Sequence, residues 1–399
     1  MTGPLAGVRI IELSGLGPTP YGVMLLADLG AEVIRVDRVA AAQGKPGTEV
    51  TNIGMSRNRR SIAIDLKSPA GLQVLLELVD TADVLVEGFR PGVAERLGFG
   101  PDVCLARNPR LVFARMTGWG QNGPLADKAG HDINYAAVAG ALYGIGRRGE
   151  PPPPPMNLVA DFGGGGTFLA LGVLAALFER QQSGAGQVVD VAMVDGVASL
   201  TAYLHGLLRI GIWNRERANN LLDGAAPFYD TYETADGRFI AVGPIEPQFY
   251  ERFLAVLRLD PAEFPQHDPA SWGAQKQRLA EIFRQRTQEE WVRAFADVDA
   301  CVTPVLTPEE APHHPHLAER GTFVDVAGVP EPAPAPRFSR TPGTIRRPAP
   351  AYGEDTVAIL TELGYGAQQI AELRASGAVA VAQDGAMAQG GLDTATGAN

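Results

Sequence analysis

Two short segments of the chain carry side chains suited to moving a proton. His131 and Asp132 follow Gly130, a residue small enough to let the backbone approach a ligand. Asp161 stands before the glycines 163–166 and an apolar run, where we expect a helix to begin and its free N–H groups to keep the carboxylate ionised. An imidazole that titrates near neutral pH and a positioned carboxylate suit general acid–base catalysis.

Each candidate also has an ordinary structural explanation. A single histidine such as His131 is more often structural than catalytic, and Asp161 lies where a carboxylate commonly caps a helix. A third candidate, Glu246, precedes Pro247 at the expected start of another helix, which is equally typical of a cap. The residues alone therefore leave catalysis and a purely structural role open.

Several basic residues lie in the first hundred positions of an acidic chain. The 399 residues include 34 Lys and Arg against 45 Asp and Glu, a formal net charge of −11 that argues against a general nucleic-acid-binding protein. The basic residues considered as ligand contacts are Arg35, Arg38, Arg57, Arg59, Arg60, Lys67, Arg90 and Arg96. At the carboxyl ends of parallel strands they favour a phosphate-rich small molecule, although solvated surface cations remain the alternative for any one of them.

A glycine pair after the first expected strand suggests a nicotinamide nucleotide, but weakly. Gly15 and Gly17 fit the start of a dinucleotide fingerprint, whereas Pro20 occupies its third glycine position. Proline cannot provide the close contact between helix and strand that glycine gives there. A tight turn between strand and helix is the simpler explanation, and a dehydrogenase is disfavoured.

Hydrophobic periodicity places these residues in an α/β architecture. Short β-branched runs alternate with helical segments in the first half, and the expected strands are 8–13, 31–36, 61–66, 82–87, 111–116 and 187–191. Such alternation predicts a large doubly wound, Rossmann-like domain with a parallel sheet.

Changes in composition divide the chain. We expect a large ligand-binding α/β domain over 1–200, completed by residues 330–378 returning to it, and a smaller α+β domain over 225–325. A hairpin is expected around Asp236-Gly237 in the smaller domain. The Gly- and Ala-rich tail 379–399 is expected to be disordered.

Several protein classes are disfavoured. Cys104 and Cys301 form neither a disulfide framework nor a zinc motif, and we expect no metal site. The first residues lack the features of a secretory signal, and the longest apolar stretch, 168–178, is too short for a membrane span and reads as a buried helix. These features together predict a cytoplasmic location.

The motifs in combination resemble one family. Segments 5–13, 27–34, 65–67, 87–92 and 186–190 resemble the family III CoA transferases. Segments 130–135, 157–165 and 245–250 resemble the α-methylacyl-CoA racemase branch of that family. The similarity runs from about residue 4 to residue 378, with breaks around 39–55 and 326–349.

The resemblance implies a role for each acid–base candidate. His131 and Asp161 are expected to flank the α-carbon of a 2-methylacyl-CoA thioester and to exchange a proton with it through an enolate. Glu246 is expected to orient His131, and Asn157 to hold Asp161. The backbone N–H of Asp132 is expected to donate to the enolate oxygen.

The resemblance also implies a set of contacts with CoA, which is part of the substrate. Arg38 is expected at the adenosine and its 3′-phosphate, and Arg96 at another phosphate. The adenine and pantetheine path is expected along Ile64, Asp65, Leu66 and Lys67. Further substrate contacts are expected at Gly130, Ile133, Asn134 and Tyr135. Because a proton and not a hydride moves, no separate cofactor is expected.

The family resemblance further implies an interlocked homodimer in which Glu246 reaches His131 of the other chain. The nearest alternative is a family III CoA transferase that uses Asp161 as a nucleophile to form an acyl anhydride. A non-catalytic CoA-binding protein is a second alternative, in which His131 and Asp161 would be structural. The sequence leaves the acyl chain undefined, as well as whether Glu246 acts within its own chain.

Overall fold

A computed structural model describes residues 3–45 and 54–382 of the chain. The strands of this part are β1 (Arg9–Leu13), β2 (Glu32–Asp37), β3 (Arg59–Ile64), β4 (Val84–Glu87), β5 (Val112–Thr117), β6 (Gln187–Ala192), β7 (Asp230–Glu233), β8 (Phe239–Val242), β9 (Val302–Pro304), β10 (Phe323–Val326), β11 (Val329–Pro332) and β12 (Val379–Ala380).

The same residues form the α-helices α1 (Pro18–Asp28), α2 (Val39–Ala42), α3 (Pro69–Asp80), α4 (Val93–Leu97), α5 (Pro101–Arg107), α6 (Asp132–Val138), α7 (Thr167–Ser183), α8 (Met193–Leu200), α9 (Ala202–Arg209), α10 (Pro247–Leu257), α11 (Trp272–Phe283), α12 (Gln288–Phe295), α13 (Pro315–Arg320), α14 (Thr356–Glu362) and α15 (Ala367–Ala375). A π-helix covers Leu158–Gly166, and 3₁₀ turns cover Leu142–Gly144 and Ala311–His313.

The chain divides into two units. The first comprises Met1–Ala139, Met156–Leu200 and Gly321–Asn399, and the second comprises Gly140–Pro155 and Thr201–Arg320. Gly140–Pro155, expected in the large domain, thus belongs to the second unit.

Contacts of two arginines explain this assignment. Arg147 forms two hydrogen bonds of 2.8 Å with the Asp230 carboxylate. Arg217 donates to the carbonyl oxygens of Tyr143, Arg147 and Glu150.

The first unit is built on a seven-stranded sheet in the order β12-β3-β2-β1-β4-β5-β6. β12 pairs antiparallel with β3, and the other neighbours pair in parallel. Aliphatic side chains from the strands pack against α3, α14 and α15 in one core cluster. The doubly wound α/β fold predicted from the alternation is confirmed, and the six strands expected in the first half lie within two residues of their predicted bounds.

The central strand β1 marks the place where the order of the sheet reverses. β1 pairs with β2 on one side and with β4 on the other. In open α/β sheets, ligands bind in the crevice that such a reversal opens at the carboxyl ends of the strands. A ligand site is therefore expected at the turn after β1.

Three local expectations differ from the structure. The single helix expected over 356–376 is divided into α14 and α15, with Gly364 at a φ of +94° between them. Val379–Ala380, expected in a disordered tail, forms the edge strand β12, and residues 383–399 lie outside the described part. The apolar run of α7 is only partly buried, since Leu171 and Phe178 are 58% and 65% exposed.

One helix among the described residues is long and apolar enough to cross a membrane by length and composition. It is the continuous segment Leu158–Ser183, which consists of the π-helix and α7. Of its most apolar 18 residues, 39% are buried. A core helix meets the same two criteria. This segment packs against α1, α8 and β5 within the first unit.

The second unit has an antiparallel sheet in the order β7-β8-β9. β7 and β8 form the hairpin expected around Asp236-Gly237. Aromatic side chains from α10, α11 and α12 pack beside this sheet, and Phe253, Phe283 and Trp291 are almost fully buried.

Candidate active site

Asp161 lies beside the turn that follows β1. A Cβ atom placed on Gly17 would stand 3.1 Å from Asp161 Oδ2, so the carboxylate approaches the backbone of this turn closely. Gly17 has a φ of +65°, a conformation that L-residues with side chains rarely adopt. The carboxylate therefore lies at the carboxyl end of the central strand, where the sheet order reverses.

The glycine run beside Asp161 lets its helix pack between two neighbours. A Cβ on Gly164 would come within 2.8 Å of the Val197 backbone nitrogen in α8, and one on Gly166 within 2.8 Å of the Pro18 oxygen in α1. We expected these glycines to open a helix, but a π-helix begins earlier, at Leu158, and includes Asp161. π-helical segments are rare and occur frequently at functional sites.

His131 is held in an exposed position by its neighbours. It is the N-cap of α6 with extended backbone angles, and its N–H donates to Asn134 Oδ1 at 3.0 Å. Before it, the Gly130 carbonyl accepts a hydrogen bond of 2.5 Å from the Tyr135 hydroxyl. Gly130 also packs so closely on the Tyr135 ring that a Cβ would stand 2.7 Å from it, which explains the glycine.

The residue after His131 joins this loop to the π-helix. Asp132 is 5% exposed, and its Oδ2 accepts hydrogen bonds from the N–H groups of Ala160 at 2.6 Å and Asp161 at 2.8 Å. Its own N–H is the first of α6 and therefore has no partner within that helix. Ile133, the next residue, is 39% exposed.

Burial raises the pKa of Asp161 above that of an ordinary aspartate. A hydrogen bond of 3.4 Å from Asn157 Nδ2 acts in the opposite direction, as does the charge of His131, whereas the Asp132 carboxylate raises the pKa of Asp161 further. The expectation that a helix N-terminus keeps this carboxylate ionised is therefore wrong, because burial disfavours the charged form. Asp161 is accordingly a stronger base than a solvated aspartate, and His131 is close enough to interact with its charge.

Tyr135 forms an apolar floor near these groups. Its ring packs edge-on against Trp119, with centroids 4.8 Å apart, and burial raises the pKa of its hydroxyl, followed by the effect of Asp161. Arg90, an exposed residue that follows β4, lies near Tyr135, since its charge lowers the pKa of the Tyr135 hydroxyl. The sequence groups Arg90 with the other cations, and its position shortly after β4 is the local feature that indicates a place near the site.

The structure separates the basic residues into paired and exposed ones. Arg35, Arg57, Arg59 and Arg60 form ion pairs with Asp37, Asp28, Glu12 and Glu32 respectively. Arg38, Lys67 and Arg96 are exposed, and none of the three forms an ion pair with another residue of the described ranges. Their positive charges are therefore not neutralised by an ion pair within the described ranges.

The segment expected to line the CoA path is only partly available. Ile64 is 2% exposed and lies in the hydrophobic core, because it is the last residue of β3 and faces α3, so its side chain does not line a ligand path. Asp65 and Leu66 are half-buried, and Lys67 is exposed. Asp65 Oδ1 accepts a hydrogen bond of 3.0 Å from the Lys67 N–H, which fixes this turn.

Glu246 belongs to the second unit. It is the N-cap of α10, yet its side chain makes no capping hydrogen bond and is exposed. The ordinary explanation of this carboxylate as a helix cap is therefore wrong. Gln266 Nε2 fixes the preceding loop through hydrogen bonds to the carbonyls of Pro244 at 3.2 Å and Ile245 at 2.7 Å.

Within the described ranges, no group of three or more His, Cys, Asp or Glu side chains is arranged to hold a metal ion. The site offers the imidazole of His131, the carboxylate of Asp161 and the backbone N–H of Asp132 as polar groups.

Comparison with known proteins identifies the family. The model of CoA-transferase family III matches residues 5–356. The chain belongs to CoA-transferase family III. Within this family it is similar to "Alpha-methylacyl-CoA racemase" of Mus musculus, 49% identical over 372 residues that cover 92% of this chain and 96% of that protein. The protein of the same name from Homo sapiens is 46% identical over 377 residues, with the same coverage.

A solved structure shares the family III fold. It is the crystal structure of a CAIB/BAIF family protein from Brucella suis, with a TM-score of 0.78 and 25% identity, covering 91% of this chain and 100% of that one. The family and fold predicted from the motifs are confirmed.

Proposed function

We propose that this member of CoA-transferase family III is an α-methylacyl-CoA racemase, which interconverts (2R)- and (2S)-2-methylacyl-CoA. The observation that carries the proposal is that His131 lies close enough to interact with the charge of the half-buried Asp161, whose pKa burial raises, beside the turn after β1. The similarity of the chain to two proteins named "Alpha-methylacyl-CoA racemase" supports the same activity.

The reaction requires a base on one face of the α-carbon and an acid on the other. When Asp161 is the base, it takes the α-proton, and the electron pair of the C–H bond moves into the thioester as an enolate. Protonated His131 then delivers its proton to the opposite face, which inverts the centre. In the reverse direction the two residues exchange roles, so one must be protonated whenever the other is not.

The elevated pKa of Asp161 suits this exchange. A carboxylate whose charged form is disfavoured by burial accepts a proton more readily, which reduces the cost of proton transfer from carbon. The 3.4 Å contact from Asn157 limits that effect and directs one carboxylate oxygen. The first N–H of α6, at Asp132, provides a backbone donor for the enolate oxygen.

The remaining exposed cations suit the CoA portion of the substrate. Arg38 and Lys67 follow β2 and β3, and Arg90 and Arg96 follow β4, so all four lie after carboxyl ends of the parallel sheet. We assign Arg38 to the adenosine 3′-phosphate, and Arg96 and Arg90 to the other phosphates. Asp65, Leu66 and Lys67 supply the adenine and pantetheine path. The site needs no metal, flavin or nicotinamide, because only a proton moves.

The proposed assembly is an interlocked homodimer in which Glu246 of one chain orients His131 of the other. The exposed apolar side chains of α7, Leu171 and Phe178, support an interface with a second copy, since soluble monomers rarely leave such faces uncovered. The Glu246 carboxylate does not cap its own helix, which supports a role outside that helix. We further propose a cytoplasmic location.

One experiment separates the racemase from a CoA transferase that uses Asp161 as a nucleophile. The protein is incubated in D₂O with (2S)-2-methylacyl-CoA and an isotopically labelled free acid, with no added metal or cofactor. We expect deuterium at C2 and formation of the (2R) thioester, while the labelled acid remains free. CoA transfer to the labelled acid without deuterium at C2 would contradict the proposal.

A further inference from the structure

The buried carboxylate of Asp132 links the two proton-transfer residues through the backbone. It directly follows His131 in sequence, and its Oδ2 accepts the N–H groups of Ala160 and Asp161. We infer that the Asp132 side chain is a positioning residue, which holds Asp161 in register with His131 across the α-carbon. The inference rests on the proposed racemase activity and adds a side-chain function to a residue otherwise considered for its backbone N–H.

The π-helix explains why such a partner is needed. In a π-helix each N–H donates to the carbonyl five residues earlier, so the N–H groups of its first turn have no partner within the helix. The first bond of this kind runs from Phe162 N–H to the Asn157 carbonyl at 3.4 Å. Ala160 and Asp161 precede it, and the single oxygen of Asp132 satisfies both.

The two hydrogen bonds are short enough to fix the backbone firmly. Their lengths, 2.6 and 2.8 Å, are those of bonds to a charged acceptor, which are stronger than neutral ones. Asp132 is 5% exposed and Ala160 is fully buried, so water does not compete readily for these donors. Loss of the acceptor would leave the buried N–H of Ala160 and the partly buried N–H of Asp161 unpaired, and would release the segment that carries the Asp161 carboxylate.

The charge of Asp132 has a second effect on the same residue. It raises the pKa of Asp161, after burial as the largest cause. Geometry and charge can be separated by two substitutions. Asp132→Asn keeps an oxygen acceptor of the same shape without the negative charge, and Asp132→Ala removes both.

Kinetics on 2-methylacyl-CoA across pH tests the inference. We expect Asp132→Ala to lower kcat on the order of 10- to 100-fold, as small displacements of a catalytic group do, while KM stays within about threefold because the CoA contacts are retained. We expect Asp132→Asn to keep most of kcat and to move the acidic limb of the profile, where Asp161 must be ionised to act as base, to lower pH. Asp127→Ala, which removes an exposed carboxylate from the same loop, is the matched control and should behave as wild type.

A second measurement does not depend on catalysis. Amide hydrogen exchange of the peptide containing residues 158–166 should be faster in Asp132→Ala than in wild type and Asp127→Ala, because the Ala160 and Asp161 amides lose their acceptor. Unchanged amide exchange, or unchanged kcat and pH profile in Asp132→Ala, would overturn the inference. If Asp132→Ala does not fold, Asp132→Asn still tests both parts of the inference. An unchanged pH profile in Asp132→Asn would overturn the effect of the charge. Faster amide exchange in Asp132→Asn would overturn the view that an oxygen acceptor suffices. A wild-type protein that leaves the α-proton untouched would refute the proposed function, while amide exchange would still report whether Asp132 fixes Asp161.

Discussion

Gly17 and Asp161 are in near contact, since a Cβ atom on Gly17 would stand 3.1 Å from Asp161 Oδ2. Gly17 lies in the turn after the central strand, and Asp161 belongs to a π-helix about 140 residues later in the chain. Gly15 and Gly17, which suggest a nucleotide fingerprint in the sequence, thus include a residue that makes room for a carboxylate. The absence of the third fingerprint glycine, at Pro20, agrees with this explanation.

We predict that Gly17→Ala lowers the kcat of racemisation strongly and the free energy of unfolding only slightly. The new methyl group displaces the Asp161 carboxylate, and we expect kcat to fall on the order of 10-fold or more. The φ of +65° adds a strain of about 1–2 kcal/mol, measurable as a lower free energy of unfolding.

Gly7→Ala is the matched control for this strain. Gly7 has a φ of +94°, but a Cβ there would meet nothing within 4 Å. It should lose stability and retain kcat. Equal loss of kcat in the two variants would contradict a specific contact between Gly17 and Asp161.

We predict that Asp161→Asn abolishes racemisation but raises the thermal midpoint at neutral pH. Because burial raises the pKa of Asp161 in the folded state, its ionised form destabilises the fold and its protonated form does not. The advantage of the asparagine variant should therefore be present above the folded-state pKa and shrink as the pH falls through it towards the pKa of the unfolded chain. Thermal unfolding from pH 3 to 8 measures it; a variant less stable than wild type at neutral pH would contradict the assignment.

The sequence foresees the sheet better than the site geometry. The strands are recognisable because buried parallel strands are continuous β-branched runs, and Ser68 accepts the Gly71 N–H at the start of α3 as the Ser-Pro signal indicates. The four glycines do not predict the π-helix. Glycine is needed there because α1 and α8, which are distant in sequence, pack closely against this segment. The contact of Asp132 with Ala160 and Asp161 is equally long-range, and no local pattern records it.

The cations show the same limit. The sequence predicts phosphate contacts at Arg35, Arg57, Arg59 and Arg60, but each forms an ion pair with a carboxylate. The partner of Arg35 lies within the same strand, and the partners of the other three are distant in sequence. Residue type alone does not distinguish a neutralised cation from a free one.

We predict that Arg38→Ala weakens binding of acyl-CoA by about 10-fold at low salt, because an exposed contact with the 3′-phosphate is lost. The effect should shrink at high ionic strength, since such contacts are screened. Affinity for the acyl-pantetheine thioester should not change. Arg107→Ala, which removes an exposed arginine paired with Asp80, is the control. Equal loss for both ligands would show that Arg38 supports the fold instead.

We predict that an inactive pair of variants restores activity when mixed, if the site is shared between chains. Glu246→Ala and Asp161→Asn are unfolded together and refolded as a mixture. A heterodimer then contains one site with His131 and Asp161 from the first chain and Glu246 from the second. We expect up to about a quarter of wild-type activity, since about half of the dimers are mixed and each has one complete site. Activity no greater than the sum of the separately refolded variants would contradict a Glu246 contribution across the dimer.

The central claim is that His131 and Asp161 serve opposite faces of one carbon. The direct test is deuterium incorporation at C2 of each pure enantiomer of 2-methylacyl-CoA in D₂O by His131→Ala and Asp161→Ala, with folding and CoA affinity checked in parallel. The account predicts that neither variant racemises and that His131→Ala retains slow exchange with one enantiomer only, whereas Asp161→Ala retains it with the other. A loss of about 10²- to 10⁴-fold per group leaves such exchange measurable by mass spectrometry. Equal exchange of both enantiomers by both variants, or undiminished racemisation by either, would contradict it.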